Sequence, residues 1–417
     1  MPKRRVVVTG LGTVNPLGQS VREFWDALLA CKSGIRRIER FDPTPCTSQI
    51  GGEVWGWKGV PADKLEPREN KRMDRFAQFA VASAIEAVED SGLDFEKEDR
   101  GRCGVVVGTG IGGLETLEVQ HKRMLADGPD RTSPFTVPRL MGNAASGTIS
   151  ILWNLRGPNF AVVTACASAA NSIGEALRAI QRDDADLMIT GGSEAALTPI
   201  GLASFCALRG LSTRNDDPNS ASRPWDRGRD GFLLAEGAGV IVIEALERAK
   251  ARGARVYAEL IGYGASGDGH HISAPDPSGQ GACLAMRNAL EDAGLGPEDV
   301  DYINAHGTST ELGDIAEVVA IKKSFGDHAK SGLMVSSTKS ATGHMLGATG
   351  GVEAIATALS LSNGIVPATL NLKDPDDDCD LDFVPLTPRE TGIDVALSNS
   401  FGFGGHNACL MLKRFEG

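Results

Sequence analysis

An α/β fold made of two similar halves is what this sequence predicts, and three observations carry it. The chain has 417 residues, which at roughly 100 to 200 residues per domain means two domains or one domain of two repeats. Glycine is abundant, at 51 residues, and many glycines follow short β-branched runs, the mark of strands that end in tight turns. Stretches of the first part of the chain recur later in the same order. We therefore divide the chain into halves 1–252 and 253–417, each expected to bury a helix layer against the other.

The elements follow in pairs. After the apolar run Val6-Val7-Val8, the segment Ala87-Val88-Glu89-Asp90-Ser91-Gly92-Leu93 reads as a helix end stopped by Gly, and Cys103 to Thr109 reads as a buried strand. Ala289 to Leu295 and Asp301 to Thr308 repeat that pattern. The expected strand Asn159 to Thr164, then Cys166 and a helix over Ala167 to Arg182, correspond to Leu333 to Thr338, His344 and a helix through Val352-Glu353-Ala354. Asp186 to Thr190 pairs with Asp394 to Ser398, and Gly237 to Glu244 with Gly405 to Lys413. Cys166 and His344 thereby take equivalent places.

Charge and cysteine usage narrow the class. Lys plus Arg at 42 against Asp plus Glu at 54 gives −12, which argues against bulk attraction to nucleic acid or an anionic membrane. No apolar stretch approaches the ~18 residues of a membrane span. The eight cysteines include no CxxC pair, the pattern of free thiols in a reducing compartment. Met-Pro-Lys-Arg-Arg leads straight into Val6, leaving no room for a cleaved leader, so the expected location is the cytoplasm, or an organelle for a mature form.

Two motifs suggest nicotinamide chemistry and do not sustain it. Gly108-Thr109-Gly110-Ile111-Gly112-Gly113 fits GxGxxG after a strand, yet the charged stretch Leu114 to Asp130 leads to no second strand ending in an acid. Val8-Thr9-Gly10-Leu11-Gly12 is shared with short-chain reductases, but none of Tyr257, Tyr263 and Tyr302 has Lys four positions on.

The chemistry-bearing residues sit at strand ends. Cys166 is expected at a strand-to-helix turn, where free N–H groups favour thiolate over thiol; a buried structural thiol is the alternative, and the expected state of the other cysteines. His306, in Asn304-Ala305-His306-Gly307-Thr308-Ser309-Thr310, and His344, closing Lys339-Ser340-Ala341-Thr342-Gly343-His344, end strands of the second half. One Cys and two His lack the close ligand pair of a zinc site. They suit acyl-thioester chemistry, because neutral imidazole N–H groups stabilise an enolate oxygen as it forms. The glycines of Asn399-Ser400-Phe401-Gly402-Phe403-Gly404-Gly405 let main-chain amides approach a second oxyanion; a plain turn between strands is the alternative.

Taken in order, Thr164-Ala165-Cys166-Ala167-Ser168 and the motifs around His306, His344 and Phe403 resemble those of the elongating β-ketoacyl-acyl-carrier-protein synthases, the type II branch most closely. The resemblance runs essentially end to end, through Ser212 to Asp216 and Arg223-Pro224-Trp225-Asp226. It implies a thiolase-like fold, with two duplicated βαβαβαββ halves stacked as a five-layered α-β-α-β-α sandwich, working as a homodimer without cofactor or metal. It implies that Cys166 accepts the acyl chain, that His306 and His344 support decarboxylation of the malonyl carrier substrate, and that the amides of Cys166 and Phe403 form the oxyanion hole. Lys339 would act electrostatically, with Glu353 and Asp314 in support. Thr308, Thr310, Ile111, Phe403, His271 and Ser273 would contact substrate, Phe403 also as a gate.

Departures and partners complete the reading. Ala169, Glu311 and His406 stand where the family commonly has Gly, Pro and Thr, which leaves acyl preference open and keeps a type II polyketide ketosynthase as the alternative. A degradative thiolase would need a second cysteine, for which Cys409 is the sole candidate, inside a strand pattern; a non-catalytic chain-length factor would lack Cys166. The expected partner is an acidic acyl carrier protein, met by Arg68, Lys71, Arg72 and Arg209, with Arg75 nearby.

Overall fold

The computed structural model describes residues 3–417. The first half contributes β1 (Val6–Val14), β2 (Cys103–Gly108), β3 (Asn159–Phe160), β4 (Leu187–Glu194) and β5 (Gly237–Ala245), and the second β6 (Ala258–Gly267), β7 (Tyr302–Asn304), β8 (Met334–Ser336), β9 (Val395–Gly402) and β10 (His406–Lys413). The helices between them are α1 (Arg75–Ser91), α2 (Ala144–Trp153), α3 (Ser168–Gln181), α4 (Gln280–Ala293), α5 (Glu311–Phe325) and α6 (Thr349–Asn363). Each half runs β-α-β-α-β-α-β-β, the duplication expected. The sheet order is β3-β2-β4-β5-β1 and then β6-β10-β9-β7-β8, the same order mirrored about the junction. In both halves the three strands farthest from the junction are parallel and the next is antiparallel to its neighbours. The halves join where Val7 pairs with Glu259 and Val8 with Ala258.

Strand side chains alternate between faces, and here both faces are covered. Val105 and Val107 of β2 pack outward among α1 residues such as Phe79 and Val88, whereas Val106 faces an inner core with Ile173 and Leu177 of α3 and Ile355 of α6. In the second half Leu397 and Met411 face outward onto Met286 of α4 and Ile321 of α5, while Ala396 and Leu410 share that inner core. Helices outside, sheet, α3 and α6 in the middle, sheet, and helices outside make the five layers. The amphipathic pattern dictates them, since α3 and α6 bury apolar surface against both sheets.

The repeat extends to helix ends and to close approaches. Gly92 ends α1 at φ 67° and Gly294 ends α4 at φ 69°, the left-handed position that favours Gly. A Cβ on Gly12 would lie 1.9 Å from Ser83 O, and one on Gly264 2.1 Å from Ala285 O, so these strand glycines exist to seat the helices. That accounts for the reductase-like run near the N-terminus. One expected element is shorter than predicted: β3 covers only Asn159–Phe160, and residues 161–164 form no strand. Phe160 is 41% and Val163 60% exposed, so this apolar run is a short sheet edge followed by a loop.

Candidate active site

Cys166 lies in a single turn, Ala165–Ala167, that runs directly into α3. Ala165 sits at φ 49°, an uncommon conformation for a residue with a Cβ that here lifts the following thiol into the cavity. Gly402 permits the approach from the other side, since a Cβ there would meet Cys166 N at 2.9 Å. The Cys166 sulfur therefore faces two main-chain N–H groups, its own and that of Phe403. Burial pushes the thiol up to about 12, against the opposing pull of Lys339 and those two amides. Burial therefore opposes the thiolate that the helix N-terminus favours.

The histidines reach the sulfur from the other half. His344 Nε2 is 3.0 Å from Cys166 Sγ, and its Nδ1 is 3.0 Å from Thr349 Oγ1 at the start of α6. Its backbone is fixed by the first half, donating to Leu233 O at 2.8 Å and accepting from Ala235 N at 3.0 Å. The hydroxyl of Thr349 can donate or accept, so it tolerates either tautomer of the ring. His306, just beyond β7, stands edge-on to His344 with ring centroids 5.3 Å apart. Glu317 of α5 accepts from the amides of His306 and Gly307 at 2.8 and 2.7 Å, which locks that turn. Burial, the Lys339 charge and, for His306, the neighbouring imidazole hold both rings well below their ordinary range. Both are neutral at physiological pH.

Lys339 is buried behind the pair, donating to the Glu353 carboxylate and, at 3.4 Å, to Ala305 O beside His306. Glu353 is pushed up to about 7 by burial, with Lys339 favouring its ionised form. Asp314 does not face the cavity. It accepts from Ser309 N at 3.1 Å and Trp225 N at 2.9 Å, which shapes the turn bearing Thr308 and Thr310, whose hydroxyls are 3.0 Å apart.

A cavity of about 670 Å³ opens onto Cys166, His306 and His344, with Ile111, Thr308, Thr310, Ser273, Phe403 and Arg209 in its wall, a volume in the range of small-molecule sites. One predicted contact moves away from it. His271 is exposed and its Nδ1 accepts from the amides of Ser273 and Ala274 at 3.2 and 3.1 Å; it organises its turn, while Ser273 lines the cavity and His271 does not. Cys409, the second cysteine that a thiolase would use, is buried in β10 and donates to Asn399 Oδ1 at 3.1 Å, outside the cavity wall.

The basic cluster is also smaller than predicted. Arg68 and Lys71 are exposed at the short helix Pro67–Asn70, and Arg72 pairs with Glu69 at 2.7 Å. Arg75 is withdrawn from the surface, its guanidinium held with Arg40 by the buried Glu236. Glu194 and Glu317 were not singled out in the sequence, because a carboxylate that caps main-chain amides in the interior resembles any acid near a turn.

The chain is similar to known proteins along its whole length. The beta-ketoacyl synthase N-terminal domain matches residues 3–249 and its C-terminal domain residues 257–373. The 3-oxoacyl-[acyl-carrier-protein] synthase 2 of Coxiella burnetii is 52% identical over 414 residues, 99% of each chain, and that of Staphylococcus aureus strain COL 51% over 413 residues, again 99% of each. A beta-ketoacyl synthase from Burkholderia phymatum superposes with a TM-score of 0.91 at 34% identity over 99% of this chain and all of the other. A type II polyketide ketosynthase solved with its acyl carrier protein gives 0.92 at 33%, with the same coverage.

Proposed function

This chain belongs to the beta-ketoacyl synthase family, and from that premise we propose that it elongates fatty acyl chains by decarboxylative condensation on an acyl carrier protein. The observation that carries the reading is the 3.0 Å contact between His344 Nε2 and Cys166 Sγ, beneath two convergent amides and beside a second neutral imidazole. In the first half-reaction Cys166 Sγ attacks the carbonyl carbon of the acyl thioester. Its proton passes through His344 to the departing pantetheine sulfur, and the Cys166 and Phe403 amides hold the transient oxyanion.

In the second half-reaction the malonyl thioester oxygen faces the neutral rings of His306 and His344. Loss of CO2 leaves its electron pair in the enolate, which those N–H donors stabilise without needing to be charged. The enolate carbon attacks the Cys166 thioester, the amides again receive the oxyanion, and collapse releases a β-ketoacyl carrier product and expels the Cys166 sulfur, which takes up one proton from solvent by way of His344. No bound cofactor enters these steps. Identity of 51–52% along the full chain with synthases of that name, against 33% with the polyketide ketosynthase, favours fatty-acid over polyketide elongation.

The test mixes the protein with acyl carrier substrate alone and then adds malonyl carrier protein. Peptide mass spectrometry is expected to place the acyl adduct on Cys166, and malonyl carrier protein to discharge it with one CO2 per β-ketoacyl product. An adduct on Cys103 or Cys409 overturns the reading.

The homodimer and the carrier contact belong to the same proposal. The two-residue β3 leaves a sheet edge with exposed Phe160, beside exposed Val163 of the following loop and Ile151 of α2, a ready template for a second copy. Eight free thiols suit the cytoplasm, and among the described residues no helix is long and apolar enough to cross a membrane. For the acidic carrier protein, Arg209 at the cavity mouth and exposed Lys71 and Arg68 supply local positive charge on a protein of net charge −12. Exposed charges are screened beyond ~8 Å at physiological salt, so these contacts act on encounter. Reversing Lys71 and Arg72 to Glu is expected to raise the apparent KM for carrier-bound substrates about tenfold at low salt. Transfer from an acyl-pantetheine should stay unchanged, and equal loss on both substrates would return these residues to an ordinary solvated surface.

A further inference from the structure

Glu194 ends β4 with its carboxylate completely buried, and none of the steps above uses it. Its Oε2 accepts from Gly110 N at 2.6 Å and Gly347 N at 3.2 Å, and its Oε1 from Thr109 Oγ1 at 3.0 Å and Ile111 N at 3.2 Å. Among the described residues no Lys or Arg pairs with it, and burial pushes the carboxyl up to about 7. Burying an unpaired acid is costly, so four directed donors are what hold it there.

Those donors come from separate pieces of chain. Thr109 to Ile111 leave β2 and lay Ile111 on the cavity wall, while Gly347 follows Leu346, another wall residue, shortly after His344. The segments touch without room for side chains: a Cβ on Gly347 would stand 2.2 Å from Gly110 N. The GxGxxG look-alike is therefore a seam between the halves, closed by one carboxylate. We propose that Glu194 is a positioning residue that sets acyl-chain preference, by holding the Ile111 loop against the Leu346 turn so that the cavity wall beside Cys166 keeps one shape. This rests on Cys166 being the acyl acceptor.

The chemistry of the side chain makes this testable. Each carboxylate oxygen serves two donors, so Glu194→Gln turns an NH2 against two of them whichever way the amide lies. Glu194→Asp keeps the charge but is a methylene too short. Single-turnover transfer to Cys166 from acyl-pantetheines, acetyl through palmitoyl, reads the effect. In Glu194→Gln the long-to-short ratio of kcat/KM is expected to change about tenfold, with acetyl transfer near wild type and Glu194→Asp intermediate. Thr109→Val, which removes a single donor, should shift the ratio the same way by less, and it serves if Glu194→Gln fails to fold. A uniform fall at every chain length, or an unchanged ratio, overturns the assignment. Failure of the wild type to acylate Cys166 at all would instead overturn the reading on which it rests.

Discussion

His306→Ala and His344→Ala are each expected to lose condensation by about 10²-fold or more, and to differ in the acylation that precedes it. Both rings are neutral and face the cavity, so removing either takes an N–H donor from the enolate at the moment charge develops. Only His344 touches the sulfur, at 3.0 Å, and burial favours the thiol over the thiolate there. A thiol needs an acceptor before it can attack, so His344→Ala should also slow acyl transfer, by the ~10² to 10⁴ typical of a lost proton-transfer partner. His306→Ala should acylate at close to the wild-type rate. Radiolabel transfer to Cys166 and CO2 release from malonyl carrier protein, measured separately, resolve the two. If His306→Ala failed to acylate as completely as Cys166→Ala, this division of labour would be wrong.

That division is sharper than the sequence allowed, and the reason is physical. Strand ends announce themselves: apolar runs stop at small and polar residues, which marks Cys166, His306 and His344 as strand-end residues in the sequence alone. The duplicated order of elements followed from the period of apolar residues and from glycines that end α1 and α4 alike. Burial depth has no such local mark. A helix N-terminus argued for a thiolate at Cys166, and only the packed site shows desolvation outweighing it. The same blindness hid Glu194 and Glu317, whose partners are main-chain amides, and Arg75, which Glu236 withdraws from the surface. Residues 161–164 read as part of a strand because exposed apolar side chains beside a sheet edge carry the same pattern as a longer strand.

Lys339→Met is expected to be the most destabilising single change in the site, by roughly 3–5 kcal/mol in denaturant unfolding. Lys339 and Glu353 are both 1% exposed and ion-paired, so removing the cation leaves a carboxylate in the interior with no counter-charge. Glu353→Gln strands the ammonium instead and should also destabilise, whereas the double variant Lys339→Met/Glu353→Leu, which buries neither charge, should recover much of the loss. The pair also has a catalytic signature. Burial is the larger cause and the Lys339 charge the next in holding both histidines below their ordinary range. Deleting that charge makes the protonated rings easier to form, so the acid limb of the decarboxylation profile should move to higher pH in Lys339→Met and in the double variant. The neutral donors are then lost earlier as pH falls. A double variant that regains stability yet keeps the wild-type acid limb would assign Lys339 to packing alone; single variants within about 1 kcal/mol of wild type would deny the buried pair any structural weight.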